Sequence, residues 1–296
     1  MNKLGEFGLI DRIRKTIKTD ASVLKGIGDD CAVIRYDRRT CMLLTQDMLV
    51  EGVDFTRRDD PRLVGRKALA VSISDIAACA GLPRYALVSM GIPRAAAAAY
   101  IDEVYRGMRA LAREYGINIV GGDISRAPVL TIDVSLTGFV EKKRLVLRGG
   151  ARPGDMIFVS GRLGGTRQGK HLRFTPRVAE ARFLAEQYRL HAMIDISDGL
   201  AQDLGHIARA SNTGAVLFEK LIPFSAQARG LDDALSGGED FELLFTVSAR
   251  DGRMIIKRSP SRFFPVGTIT EKRYGLKIID GNGGERVLRI SGYRHF

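Results

Sequence analysis

The chain predicts an α+β fold in two domains, and three observations carry that expectation. At 296 residues it is too long for one ordinary core and suits two. Stretches of strand character and of helical character follow one another in irregular order, without strict alternation. Near the middle, Arg148-Gly149-Gly150-Ala151-Arg152-Pro153-Gly154-Asp155 concentrates turn-forming residues in a compact run. The boundary is placed there, giving an N-terminal domain of residues 1–148 and a C-terminal domain of residues 149–296.

The elements follow in order. Leu9 to Thr19 reads as a short amphipathic helix, with Ile10, Ile13 and Ile17 on one face. Cys31 to Tyr36 and Met42 to Thr45 read as strands joined by the polar turn Asp37-Arg38-Arg39. Pro61 to Ala80 reads as a buried helix, with Leu63, Ala70 and Ile73 at helical spacing, ended by Leu82-Pro83. Tyr85 to Gly91 is a strand, Ala95 to Tyr115 a long helix stopped by Gly116, and Asn118 to Val120 and Val129 to Val140 are strands. Beyond the boundary, strands are expected at Met156 to Ser160, Met193 to Ile196, Ala215 to Glu219, Phe241 to Val247 and Phe264 to Ile269. Helices are expected at Pro176 to Gln187 and Gly199 to Arg209.

Composition narrows the function classes. Hydrophobic residues make up 45% and charged residues 27%, the balance of a globular protein. The net charge of +12 suits anionic ligands. The basic residues are spread along the chain, however, and tryptophan is absent, which argues against a nucleic-acid partner. Cys31, Cys41 and Cys79 are odd in number and lack CxxC spacing, so free thiols and a reducing cytoplasm are expected. The first twenty residues carry no signal-peptide core, and the apolar stretch Ala68 to Leu82 is too short and polar to span a bilayer, so no membrane partner is expected.

The chemistry sits in the carboxylates. Aspartates recur at the ends of apolar runs beside glycine or a small hydroxyl residue: Gly28-Asp29-Asp30, Thr45-Gln46-Asp47, Ser72-Ile73-Ser74-Asp75, Gly121-Gly122-Asp123, Asp195-Ile196-Ser197-Asp198-Gly199 and Gly237-Gly238-Glu239-Asp240. Any one alone is an ordinary turn or helix cap. As a set they need compensation, because a buried carboxylate is costly and Asp75 lies in an apolar stretch. A divalent cation compensates several acids at once, and oxygen donors without His or Cys favour magnesium. Gly121-Gly122 lets backbone N–H groups approach a phosphate, and Arg148 and Lys67 offer counter-charge. Gly164-Gly165-Thr166-Arg167-Gln168-Gly169-Lys170-His171 imitates a P-loop, but His171 stands where the magnesium-binding hydroxyl belongs and Pro176 interrupts the required helix.

Taken together, these residues resemble the thiamine-monophosphate kinase family. The resemblance is carried by Gly26 to Val33, Asp47 to Phe55, Gly65 to Ala70, Ser74 to Ala78, Gly121-Gly122-Asp123, Ile194 to Leu200, Ser236 to Leu243 and the ending His295-Phe296. It covers nearly the whole chain. It implies the fold of aminoimidazole ribonucleotide synthetase and selenophosphate synthetase: an N-terminal β-sheet domain that pairs with a second copy into a barrel, and a C-terminal α/β sandwich. It implies a homodimer that transfers phosphate from ATP to thiamine phosphate with several magnesium ions. On the matching positions, Asp30, Thr45, Gln46, Asp47, Asp75, Asp123, Asp195 and Asp198 would meet magnesium, with Asp47, Asp123 and Asp198 closest to the chemistry. Tyr105, Gly122, Asp123, Arg148 and Ser197 would contact ATP, and Asp54, Glu239 and Phe296 the thiamine phosphate. Gln46 departs from the family's usual Thr or Ser, and Asp54 from its usual histidine. The rival readings are an aminoimidazole ribonucleotide synthetase-like or selenophosphate synthetase-like enzyme and, in another class, a basic nucleic-acid-binding protein.

Overall fold

The computed structural model describes residues 5–259 and 261–293. Phe296, with the rest of the His295-Phe296 ending, lies outside the described residues.

Helix α1 (Gly5–Thr16) leads into a six-stranded sheet built from β1 (Val23–Lys25), β2 (Ala32–Arg35), β3 (Thr40–Val50), β4 (Leu82–Ile92), β5 (Asn118–Arg126) and β6 (Thr131–Glu141). The strand order is β1-β2-β3-β6-β4-β5, antiparallel except for the β4–β5 pair. Along β3 and β6, residues alternate between a buried face and an open one. Two helices cover the buried face, α2 (Pro61–Ala78) and α3 (Ala98–Glu114). Asp60 caps α2 by accepting the Arg62 N–H at 2.8 Å, and Pro61 fits its first turn, where an amide proton has no partner to lose. The two helices touch at glycines. A Cβ on Gly65 would sit 1.8 Å from the Val104 carbonyl oxygen, and one on Gly107 would sit 1.9 Å from that of Arg62.

The second sheet has seven strands: β7 (Met156–Val159), β8 (Leu190–Asp195), β9 (Thr213–Phe218), β10 (Leu243–Val247), β11 (Phe264–Glu271), β12 (Leu276–Ile279) and β13 (Glu285–Val287), ordered β13-β12-β9-β11-β7-β10-β8. Its helices are α4 (Lys170–Arg173), α5 (Val178–Gln187), α6 (Leu200–Ser211), α7 (Leu231–Ser236) and α8 (Ala249–Arg258). One face, with Phe158, Met193 and Phe245, belongs to a core continuous with that of the first sheet. The other face, with Ile157, Val159 and Ile194, packs on α6 in a separate core. The expected α+β architecture is thus present. Among the described residues, no helix is long and apolar enough to cross a membrane.

Helix α2 is buried on nearly every side and touches both sheets' layers. Across the junction, the Met193 N–H donates to the Leu147 carbonyl at 3.0 Å. Arg182 reaches back to Glu141 at 2.7 Å, and Arg66 donates to the Phe174 carbonyl at 2.5 Å.

Candidate active site

Three carboxylates converge from three elements. Asp30 comes from the turn before β2, Asp75 from α2 and Asp195 from the end of β8, each with a carboxylate oxygen within 4.8 Å of the others. Each has a local reason for its position. Arg148 Nη2 donates to Asp30 Oδ1 at 2.8 Å, the Thr45 hydroxyl donates to Asp75, and the Ser74 hydroxyl donates to Asp195 at 2.6 Å. Asp47, one step along on the same face of β3 as Thr45, accepts from the Ser72 hydroxyl at 2.7 Å. Ser72, Ser74 and Asp75 all lie on α2, so that helix supplies both an acid and the hydroxyls that orient two others.

The electrostatics favour a cation. Burial pushes the Asp195 carboxyl up to about 8, assisted by Asp30, and pushes Asp47 up to about 6. Asp75 is raised well above the usual range by burial and by Asp47, Asp195 and Asp30 together. Among the described residues, Asp30 Oδ2 is buried without a hydrogen-bond partner. An all-oxygen donor set with an orphaned lone pair fits a hard divalent cation.

Beside this cluster lies a cleft of about 520 Å³ between the two sheets' loops. Asp47, Asp54, Lys67, Ser197, Asp198 and Glu239 are among the residues lining it. Lys67 is fully buried, and its Nζ donates to the Asp54 carbonyl at 2.7 Å and to the Glu239 carboxylate. Glu239 and Phe241 hold left-handed backbone, φ +58° and +50°, which is strained for a side chain as large as phenylalanine. The strain is held by the Glu239 N–H donating to Ser197 O at 2.7 Å and by Phe241 stacking on Phe174, with centroids 4.1 Å apart.

Several expected site residues sit elsewhere. Gln46 and Asp123 lie on the sheet's open face, opposite Thr45 and Asp47. Gln46 donates to Asp133 Oδ2 at 2.9 Å, and the register runs Met48–Asp133–Ser89–Asp123 across β3, β6, β4 and β5. Three strand spacings put Asp123 roughly 14 Å from β3 within one chain. Gly122 packs with no space for a Cβ, which would meet the Val88 carbonyl oxygen at 1.7 Å. Tyr105 packs on the core from α3. The Asp54 carboxylate lines the cleft with Oδ2 already accepting the Val50 N–H at 2.7 Å, fastening its own turn.

The P-loop imitation is explained. The Gly164 N–H and Lys170 Nζ, which would grip a phosphate, both donate to Asp240, at 3.0 and 2.6 Å. Asp240 ends the Gly237-Gly238-Glu239-Asp240 motif, and the sequence alone gives it no role. Asp203 was missed altogether: it is buried and accepts the Asp198 and Gly199 N–H groups at 3.2 and 3.1 Å, which shapes the start of α6. Its one sequence signal is an acid on the apolar face of a helix.

The two domains that meet at this cleft are those of the AIR synthase related proteins. The profile of that group's N-terminal domain matches residues 28–140, and that of its C-terminal domain matches residues 152–275. The chain belongs, within that group, to the thiamine-monophosphate kinase family. It is 38% identical to the thiamine-monophosphate kinase of Aquifex aeolicus over 83% of this chain and 87% of that one. It is 33% identical to that of Bacillus subtilis over 99% of this chain and 100% of that one. A solved structure described as "AaThiL complexed with AMPPCP and TMP" superposes with a TM-score of 0.88 at 34% identity, covering 100% of this chain and 98% of that one. The resemblance read from the motifs is borne out, and the chain is an enzyme of the kinase class.

Proposed function

We propose that the chain transfers the terminal phosphoryl group of ATP to thiamine phosphate, giving thiamine diphosphate and ADP, by direct in-line transfer. The observation that carries this reading is the meeting of Asp30, Asp75 and Asp195, with an orphaned buried oxygen, beside a junction cleft. The relative solved with a nucleotide analogue and TMP supports the choice of substrates. Thr45, Asp47 and Asp198 complete the set that would hold magnesium with those three acids. When bound, magnesium supplies charge neutralisation for the polyphosphate.

The chain's own groups do the rest. The acceptor is a phosphate monoester whose second pKa lies near ~6, so it arrives largely ionised and needs no strong base. Positioning therefore carries the rate. Arg148, locked on Asp30, and Ser197, beside Asp198, are assigned to ATP. Glu239, held by Lys67, is assigned to the acceptor end with Asp54 and with Phe296. Residues 1–148 are read as the nucleotide- and metal-binding domain, and residues 149–296 as the domain that closes the site.

A homodimer belongs to this reading. The open face of the first sheet exposes Leu44, Met48, Leu82, Tyr85 and Leu87, an apolar patch of the kind that marks an interface. Covering it with a second copy would bring Gln46, Gly122 and Asp123 against another chain's residues, which is how they would join a nucleotide site they do not reach alone. Three free buried thiols suit a reducing cytoplasm.

The test is direct. Purified protein with ATP, magnesium and thiamine phosphate is expected to yield thiamine diphosphate and ADP in equal amounts, with loss on chelation and recovery on adding magnesium. Absence of thiamine diphosphate while ATP is consumed would point to another acceptor. Salt-sensitive binding to random DNA without ATP turnover would instead favour the nucleic-acid reading.

A further inference from the structure

We infer that Arg167 is the residue that takes the phosphate of the acceptor substrate and so separates phosphorylated from unphosphorylated acceptors; this rests on the reaction proposed above. The cleft is crowded with negative charge, since Asp47, Asp54, Asp59, Asp198 and Glu239 all line it. An acceptor phosphate entering there meets repulsion unless a cation receives it. Two cationic side chains line the same cleft, Lys67 and Arg167. Lys67 is engaged by Glu239 and by the Asp54 carbonyl. Arg148 is engaged by Asp30. Arg167 has no ion-pair partner among the described residues, and its charge is felt at Tyr293 on the cleft wall.

Its placement is built into the backbone. Arg167 is the middle residue of a single 3-10 turn, Thr166–Gln168, anchored by two bonds. The Gly165 N–H donates to Asp233 at 3.0 Å, and the His171 ring, through Nδ1–H, donates to the Thr166 carbonyl at 2.8 Å. The turn sets Arg167 between the cleft and a neighbouring cavity of about 380 Å³, and the residue lines both. A planar guanidinium offers paired donors that match a phosphate, a match Lys67 does not have. The carboxylates of the cleft then face the cationic thiazolium ring, and the two halves of the acceptor meet opposite charges.

The experiment compares thiamine phosphate with thiamine, in binding by calorimetry and in steady-state kinetics, for the wild type, Arg167→Gln, Arg167→Lys and Arg229→Gln. Arg229 lines only the neighbouring cavity. Arg167→Gln is expected to weaken thiamine phosphate binding and raise its KM by about tenfold to a hundredfold, the loss of a charge-assisted bond. The KM for ATP and the affinity for thiamine should stay within about twofold, Arg167→Lys should fall between, and Arg229→Gln should match the wild type. The assignment is overturned if thiamine phosphate affinity is unchanged in Arg167→Gln. It is also overturned if the affinities for ATP, thiamine and thiamine phosphate all fall together, or if Arg229→Gln alone has the effect. A wild type that binds thiamine phosphate no better than thiamine overturns it too. A wild type that prefers thiamine phosphate through Arg167, yet makes no thiamine diphosphate, leaves this assignment standing and removes the proposed reaction.

Discussion

Asp75 and Asp195 stand where burial, and after it the charge of neighbouring aspartates, destabilises their ionised form in the metal-free protein. An aspartate ordinarily titrates near 4, whereas burial raises Asp47 to about 6 and Asp195 to about 8. The folded protein therefore keeps protons that the unfolded chain releases. Between about pH 4 and pH 8 the contribution of these two groups to stability falls as pH rises, by up to ~1.4 kcal/mol per pH unit for each retained proton, opposed below about pH 6.5 by His206, whose burial lowers it to about 4. On the proposed reading, bound magnesium would remove that cost. Thermal melts should show a metal-free midpoint lower at pH 8 than at pH 5, and a magnesium-induced rise larger at pH 8. Asp195→Asn should melt higher than wild type without metal at pH 8, by ~2–4 °C per kcal/mol relieved, gain nothing from magnesium, and lose ~10²-fold in activity. An Asp195→Asn protein that still gains stability from magnesium as wild type does would take Asp195 out of the metal set. The acids themselves were legible because they are costly in apolar surroundings, and cost is visible in sequence. Which face of a sheet an acid occupies is not: Gln46 and Asp47 are neighbours in sequence and opposite in space, a matter of strand parity.

Strand β3 shows where local reading of elements stops. Its apolar part, Met42 to Thr45, was legible, but pairing runs from Thr40 to Val50 because β6 meets it residue for residue. Gln46 and Asp47 interrupt the apolar pattern and hide the extension. Likewise Gly121-Gly122-Asp123 reads as a phosphate loop, yet lies within β5, paired in parallel with β4. Strand β1, the β12–β13 hairpin and helices α4 and α7 are short and weakly signalled in the sequence, and the sequence reading does not include them or the amphipathic helix α8. Helix α8 carries Gly252 at its middle, packed against the Met156 side chain, where a Cβ would meet the flexible sulfur at 2.4 Å. The α2–α3 pair yields the sharpest test of packing. Gly65→Ala or Gly107→Ala drives a methyl into a backbone carbonyl that cannot rotate aside. Each should cost at least ~2 kcal/mol in denaturant unfolding, toward the upper end of overpacking effects. Unchanged stability in both would mean the helices sit further apart than described.

At the scale of the molecule, the motif order identified two domains and their family, while the barrel expected from a second copy is a matter of association that one chain does not display. If the open sheet face is that interface, sedimentation should give twice the chain mass, and Leu44→Lys with Leu87→Lys should give a folded monomer with little activity. A wild type that stays monomeric at assay concentrations and is fully active would remove the dimer from the mechanism. The burial of α2 carries a consequence of another kind. The helix fills the junction, lends its serines and Asp75 to the carboxylate cluster, and ties Lys67 to loops of both domains. Two lobes wedged on a shared helix cannot swing apart as jaws without exposing that core. On the proposed reading, exchange with solvent would fall to the short segments at the cleft mouth, around Asp54 and around Glu239, with the Lys67–Glu239 ion pair as the contact that has to part.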